Sequence, residues 1–75
     1  MSQTLGQKRV KAEFNPSKND LVDQIKNKTA ELIDLCEHMR NLPLTGTGDK
    51  QRLISLAQTE FENGAMWAVK ANFTE

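Results

Sequence analysis

Few of these 75 residues are placed to do chemistry: one histidine, one cysteine, and a handful of cations and aromatics beside ten acids and ten bases in all. His38 and Cys36 stand two apart, so on a helix they point in different directions and cannot act as a base and nucleophile pair. No two carboxylates share an apolar surround that would drive their pKa values apart. No cluster of Cys and His offers metal-ligand spacing. We therefore expect no catalytic residue, no metal and no cofactor. "TGTGDK" lacks the Lys-Ser/Thr ending of a phosphate loop and any strand before it, so it reads as a turn. Arg52 is placed differently. Near a helix start the unpaired amides and the dipole already favour an anion, and a guanidinium adds to that attraction instead of to helix stability. An anionic partner and a plain ion pair with Asp49 both remain open for it. Lys26 and Lys28 read first as a solvated face paired with Asp23 and Glu31 at helical spacing. Phe14 stands beside Asn15-Pro16, where it either closes the hydrophobic seam or offers a face for stacking.

These residues are positioned by two periodic segments. Ser17 followed by Asp20 approximates a capping box, and Pro16 stops any helix arriving from the N-terminal side. From there Val22, Ile25, Thr29, Leu32, Cys36 and Met39 recur in steps of three and four, flanked by Leu21, Ile33 and Leu35. The spacing predicts a helix over about 17–41, with Cys36 in its core stripe and His38 in solvent. "NLPLTGTGD" then collects Pro43, Gly46 and Gly48 with two threonines, which is turn chemistry. Asp49 can cap a second helix, about 49–72, in which Leu53, Ile54, Ala57, Phe61, Ala65, Ala68 and Val69 keep the period. Leu56 and Trp67 lie off that stripe, so the second helix has two apolar faces. Gly64 costs about 1 kcal/mol relative to alanine in an exposed helix interior. A close backbone approach along the small residues Ala57, Gly64, Ala65, Ala68 and Ala71 is the expected compensation. The organisation is thus all-α: an N-terminal segment, 1–16, and an antiparallel αα-hairpin domain, 17–75.

Such a hairpin has little interior. A chain this short buries only about 60% of the surface its unfolded form exposes, and a single cysteine allows no internal disulfide. Oligomerisation is the remaining common route to stability, and we expect a helical homo-oligomer. The formal net charge of zero argues against a DNA-coating protein. No apolar run approaches the ~20 residues of a membrane span, and "MSQTLGQKR" has no signal-peptide core. With one free thiol, a reducing cytoplasm is the expected compartment.

The segment "RLISLAQTEFENGAMWAVKANF", Arg52 to Phe73, resembles the C-terminal helix of the phage anti-CBASS cyclic-nucleotide sponges, whose hairpin domain is shared with the anti-Thoeris sponges. Arg52, Leu56, Ala57, Thr59, Gly64, Met66, Lys70 and Ala71 fall at that family's arginine, apolar, threonine, glycine, methionine, basic and alanine positions without a gap. Ile25-Lys26 is similar to its Ile-Lys pair, and Phe14 stands where its aromatic residue is usually tyrosine. Coverage runs from about Arg9 to Phe73.

This resemblance implies a homohexamer of hairpins, in the host cytoplasm, that sequesters cyclic dinucleotides such as cyclic GMP-AMP between protomers. A second type of pocket would take cyclic trinucleotides such as cyclic tri-adenylate. By position, Phe14 would stack on a base and Lys26 would meet a phosphate of the dinucleotide. Three copies of Arg52 would meet the phosphates of the trinucleotide around a three-fold axis, and Lys28 and Thr29 would add to the ligand-binding set. The expected function is a viral counter-defence sponge that holds the messengers of the bacterial CBASS system without cleaving them. The rivals are a small structural or regulatory helical-bundle protein acting through protein–protein contacts, and an enzyme that hydrolyses the messenger.

Overall fold

A computed structural model describes residues 3–10, 19–42 and 48–75. Its elements are three helices, α1 (Leu5–Val10), α2 (Asp20–Arg40) and α3 (Gly48–Asn72). The described residues contain no strand. α2 and α3 pair antiparallel: Arg40 reaches Gln51 near the start of α3, and Ile33 accepts a bond from Gln58 further along it. Lys26, earlier still on α2, lies level with Ala65 and Val69. The hairpin read from the sequence is therefore present.

Its boundaries differ at the start of each helix: α3 begins at Gly48, so Asp49, expected as its cap, lies in its first turn, and the larger shift is in α2. α2 begins at Asp20, three residues after the expected Ser17, which lies outside the described residues. The cap is Asn19, whose side-chain oxygen accepts from the amides of Leu21 at 3.1 Å and Val22 at 3.3 Å. Asparagine is among the strongest caps because one short acceptor satisfies amides the helix itself leaves unpaired. Asp20 and Asp23 then place carboxylates at the positive end of the dipole. At the far end, Asn41 closes α2 by donating its backbone amide and its side-chain amide to the Glu37 carbonyl.

The N-terminal segment contains an element that periodicity did not show. Thr4 and Gln7 form a reciprocal capping box: the Gln7 amide donates to Thr4 Oγ1 at 3.0 Å, and the Thr4 amide donates to Gln7 Oε1 at 2.9 Å. This starts α1, which packs on α2 through Gly6. A Cβ at Gly6 would lie 2.7 Å from the Ala30 Cα and collide with its carbonyl oxygen, so the contact requires glycine. The Gly6 amide also donates to Asp34 Oδ1 at 2.7 Å, satisfying an orphan donor of α1 with a carboxylate of α2.

Docking of α1 sets which side of α2 is buried. Val10, Ala30 and Ile33 form the central cluster, with Phe61 packed against it. Val22, Thr29 and Cys36 continue the buried face, while Leu32 and Met39, expected on the stripe, are exposed. The buried stripe is rotated toward Ala30 and Ile33 because that is where α1 covers the helix. On α3 the buried residues are Ile54, Gln58 and Ala65. Leu53, expected inside, is exposed, as are Leu56 and Trp67 on the second apolar face. Among the described residues nothing comes within 4 Å of where a Gly64 Cβ would stand, so α1 and α2 do not make the expected close approach there.

Candidate functional site

Where the C-terminal end of α1 meets α2 and α3, a groove of about 330 Å³ opens. Ala65, Met66, Val69 and Val10 supply apolar walls, and Arg9, Lys26 and Glu62 supply the charged groups. Apolar walls with a few placed charged groups are the usual composition of a ligand site.

Each cation reaches the groove for a local reason. Lys26 lies on α2 one turn before Ala30, so the packing of α1 against Ala30 sets it beside Arg9. It is half-buried and makes no hydrogen bond or ion pair among the described residues. The expected Lys26–Asp23 and Lys28–Glu31 pairs are not formed; the ion pairs among the described residues are Arg9–Glu62 and Glu37–Arg40. Arg9 crosses from α1 to α3, with Nε donating to Glu62 Oε1 at 2.8 Å and Nη2 lying 2.6 Å from the same oxygen. A longer bond of 3.4 Å runs from Nη2 to Thr59 Oγ1.

The other expected site residues are distributed more widely. Phe14 lies outside the described residues. Lys28 is exposed, and two residues along a helix turn it about 200° away from Lys26, so the groove does not include it. Thr29 is buried, and its hydroxyl donates to the Ile25 carbonyl at 2.7 Å, a bond within its own helix. Arg52 is exposed near the start of α3, without the ion pair to Asp49 that the sequence left open. It stands at the turn end of the hairpin. The fourteen residues from Lys26 to Arg40, which is level with Gln51, rise about 21 Å. Within one protomer Lys26 and Arg52 therefore cannot grip the same small ligand.

At that turn end the structure shows a polar network the sequence reading missed. Arg40 Nε donates to Glu37 Oε1 at 3.0 Å, Nη1 to Gln51 Oε1 at 2.9 Å, and Nη2 to Ser55 Oγ and Gln58 Oε1, both at 2.9 Å. Buried Gln58 donates in turn to Glu37 Oε1 at 3.1 Å and to the Ile33 carbonyl at 3.2 Å. The bond from Gln58, then those and the charge of Arg40, hold the Glu37 carboxyl below its ordinary range despite the opposing effect of burial. This is a clasp between helices, not an open site. Its signal in the sequence was a glutamine, Gln58, one turn after Ile54 on the apolar stripe. Arg9 was also missed, because its partners on α3 are fifty residues or more away.

No helix among the described residues is long and apolar enough to cross a membrane. Cys36 is buried as a free thiol, and His38 is exposed. No curated protein and no solved structure matches the chain. The family described as "Acb2/Tad1, hairpin domain" matches residues 6–73, a span that includes most of α1 and all of α2 and α3. The chain accordingly belongs to the Acb2/Tad1 hairpin-domain family, the anti-CBASS and anti-Thoeris sponges of cyclic nucleotide signals.

Proposed function

We propose that this protein binds cyclic oligonucleotide messengers of the CBASS system in the infected host's cytoplasm and sequesters them without cleavage. The observation that carries this reading is the groove that brings Lys26 and Arg9 together over an apolar floor, in a chain of the sponge family. A cyclic dinucleotide such as cyclic GMP-AMP would set a phosphate against Lys26 and a base against Phe14. Stacking is worth about 1–3 kcal/mol per base, and bonds to ionised groups are about twice as strong as neutral ones.

A cyclic trinucleotide such as cyclic tri-adenylate would be held elsewhere, by Arg52 from three protomers. Lys28 and Thr29 would belong to the ligand-binding set without assignment to either pocket. The axial separation of Lys26 and Arg52 supports two pockets in place of one. A homohexamer would create both, since a two-fold interface suits a dinucleotide and a three-fold axis suits a trinucleotide. Exposed Leu21, Leu32, Leu35 and Met39 on α2, with Leu53, Leu56 and Trp67 on α3, give such an assembly apolar surface to bury. The open side of Gly64 gives it a place for close helix contact.

Calorimetry with cyclic GMP-AMP and cyclic tri-adenylate tests the reading, coupled to recovery of the ligand after heat denaturation. Intact nucleotide is the expected result. Linear products would identify a hydrolase, and absence of heat with both ligands would leave a helical-bundle protein that works through protein contacts. Arg52→Ala should remove the trinucleotide signal and leave the dinucleotide signal; equal loss of both would merge the two pockets into one.

A further inference from the structure

Glu62 is an acid placed in a groove otherwise furnished for an anion, and its position calls for an explanation. It lines the same wall as Met66 and Ala65 and holds Arg9 by two contacts to one oxygen, Oε1. A phosphate entering beside Lys26 would meet this carboxylate's negative charge and an arginine already engaged. Both partners keep contact with water, with side-chain exposures of 24% for Arg9 and 38% for Glu62. Ion pairs of this kind are weak and can be exchanged for another anion. The guanidinium offers the forked donors that suit a phosphodiester as well as a carboxylate.

We propose that Glu62 is an internal placeholder for the ligand's phosphate, and that Arg9 transfers from Glu62 to the phosphodiester of a bound cyclic dinucleotide. In the empty protein the carboxylate holds the guanidinium at the rim of the groove and offsets part of the repulsion between Arg9 and Lys26. In the complex Arg9 becomes a second phosphate ligand beside Lys26, and Glu62 turns to solvent. Glu62 therefore sets affinity by competition: it lowers the gain from every anion that recruits Arg9. This inference rests on the dinucleotide half of the proposed function.

The alternative is that Arg9–Glu62 only ties α1 to α3 and plays no part in recognition. Titrating cyclic GMP-AMP into wild type, Glu62→Gln, Arg9→Ala and Arg9→Lys separates the two, with a thermal melt of each ligand-free protein. The placeholder predicts about fivefold or more tighter binding by Glu62→Gln, since removing a roughly 1 kcal/mol competitor changes affinity by that factor. Tightening should occur even if that variant melts lower. Arg9→Ala should weaken binding at least about tenfold, and Arg9→Lys should restore part of the loss. A passive tie predicts the reverse for Glu62→Gln, a lower melting temperature with equal or weaker binding, and that result overturns the inference. Should Glu62→Gln fail to fold, equal affinity of Arg9→Ala and wild type overturns it alone. Absence of binding by wild type removes the dinucleotide reading itself, and the inference with it.

Discussion

Arg40 and Lys26 stand about four turns apart on one face of α2, yet the regions around them use a cation in opposite ways. Around Arg40 the two helices supply acceptors from Glu37, Gln51, Ser55 and Gln58. The guanidinium is consumed in fixing the register of the hairpin. Around Lys26 the neighbours are apolar side chains, Arg9 and Glu62, and the ammonium has no partner among the described residues. An available cation over an apolar wall is poor material for stability and good material for binding. The difference arises from what α3 presents opposite each residue: glutamines and a serine at the turn end, Ala65 and Val69 at the other.

If that division holds, substitutions at the two ends should separate binding from stability. Lys26→Glu should have the largest effect, weakening cyclic GMP-AMP binding about a hundredfold by placing like charges together, while the unfolding midpoint in urea stays near wild type. A large fall in stability there would show that Lys26 is a structural residue after all. Arg40→Ala should do the converse. It leaves Gln58 and Glu37 short of donors and partners in a partly buried network, at a cost of about 2–3 kcal/mol, read as a lower denaturant midpoint. Dinucleotide affinity of the folded fraction should be retained.

Gly6→Ala sharpens the comparison from the side of α1. The added methyl meets the Ala30 backbone, and overpacking of this kind costs about 1–3 kcal/mol. Because Arg9 is carried by α1, this variant should lose stability and dinucleotide affinity together, whereas Arg40→Ala loses the first alone. Equal affinity of Gly6→Ala and wild type would detach α1 from the binding site.

The smallest effect is with pH. Glu37 has its folded pKa lowered, so the stability it contributes is fully present above its unfolded pKa. It is lost as pH falls through the lower, folded value. Stability should decline through the acidic carboxylate range, and Glu37→Gln should flatten that part of the profile. An identical slope in the variant would mean that other carboxylates govern acid unfolding.

How much of this was legible beforehand depended on the range over which a signal acts. The two long helices follow from a repeat of three and four, which operates over a few residues; Pro43 and Gly46, read as turn residues, lie outside the described residues, and Gly48 is the first residue of α3. Cys36 inside and His38 outside follow from the same repeat. α1 was missed because six residues are too few to show a period, although the Thr4–Gln7 spacing of its cap was present in the sequence. The start of α2 shifted because Ser17 and Asn19 are both competent caps, and local chemistry alone does not rank them in this context.

The sequence by itself determined that this chain is a helical hairpin with more apolar surface than one hairpin can bury, and it carried the pattern of the sponge family from Arg9 to Phe73. Only the tertiary structure decided which cations are free. Lys26, Lys28, Arg40 and Arg52 are alike in charge, and each sits on a helix. Their fates diverge because Gln51, Ser55 and Gln58 face Arg40 across the hairpin, because α1 brings Arg9 and Glu62 to the groove of Lys26, and because Lys28 and Arg52 stand exposed. Partners separated by tens of residues meet only when helices pack, and it is the packing that ties one arginine into the fold and leaves a lysine without a partner among the described residues.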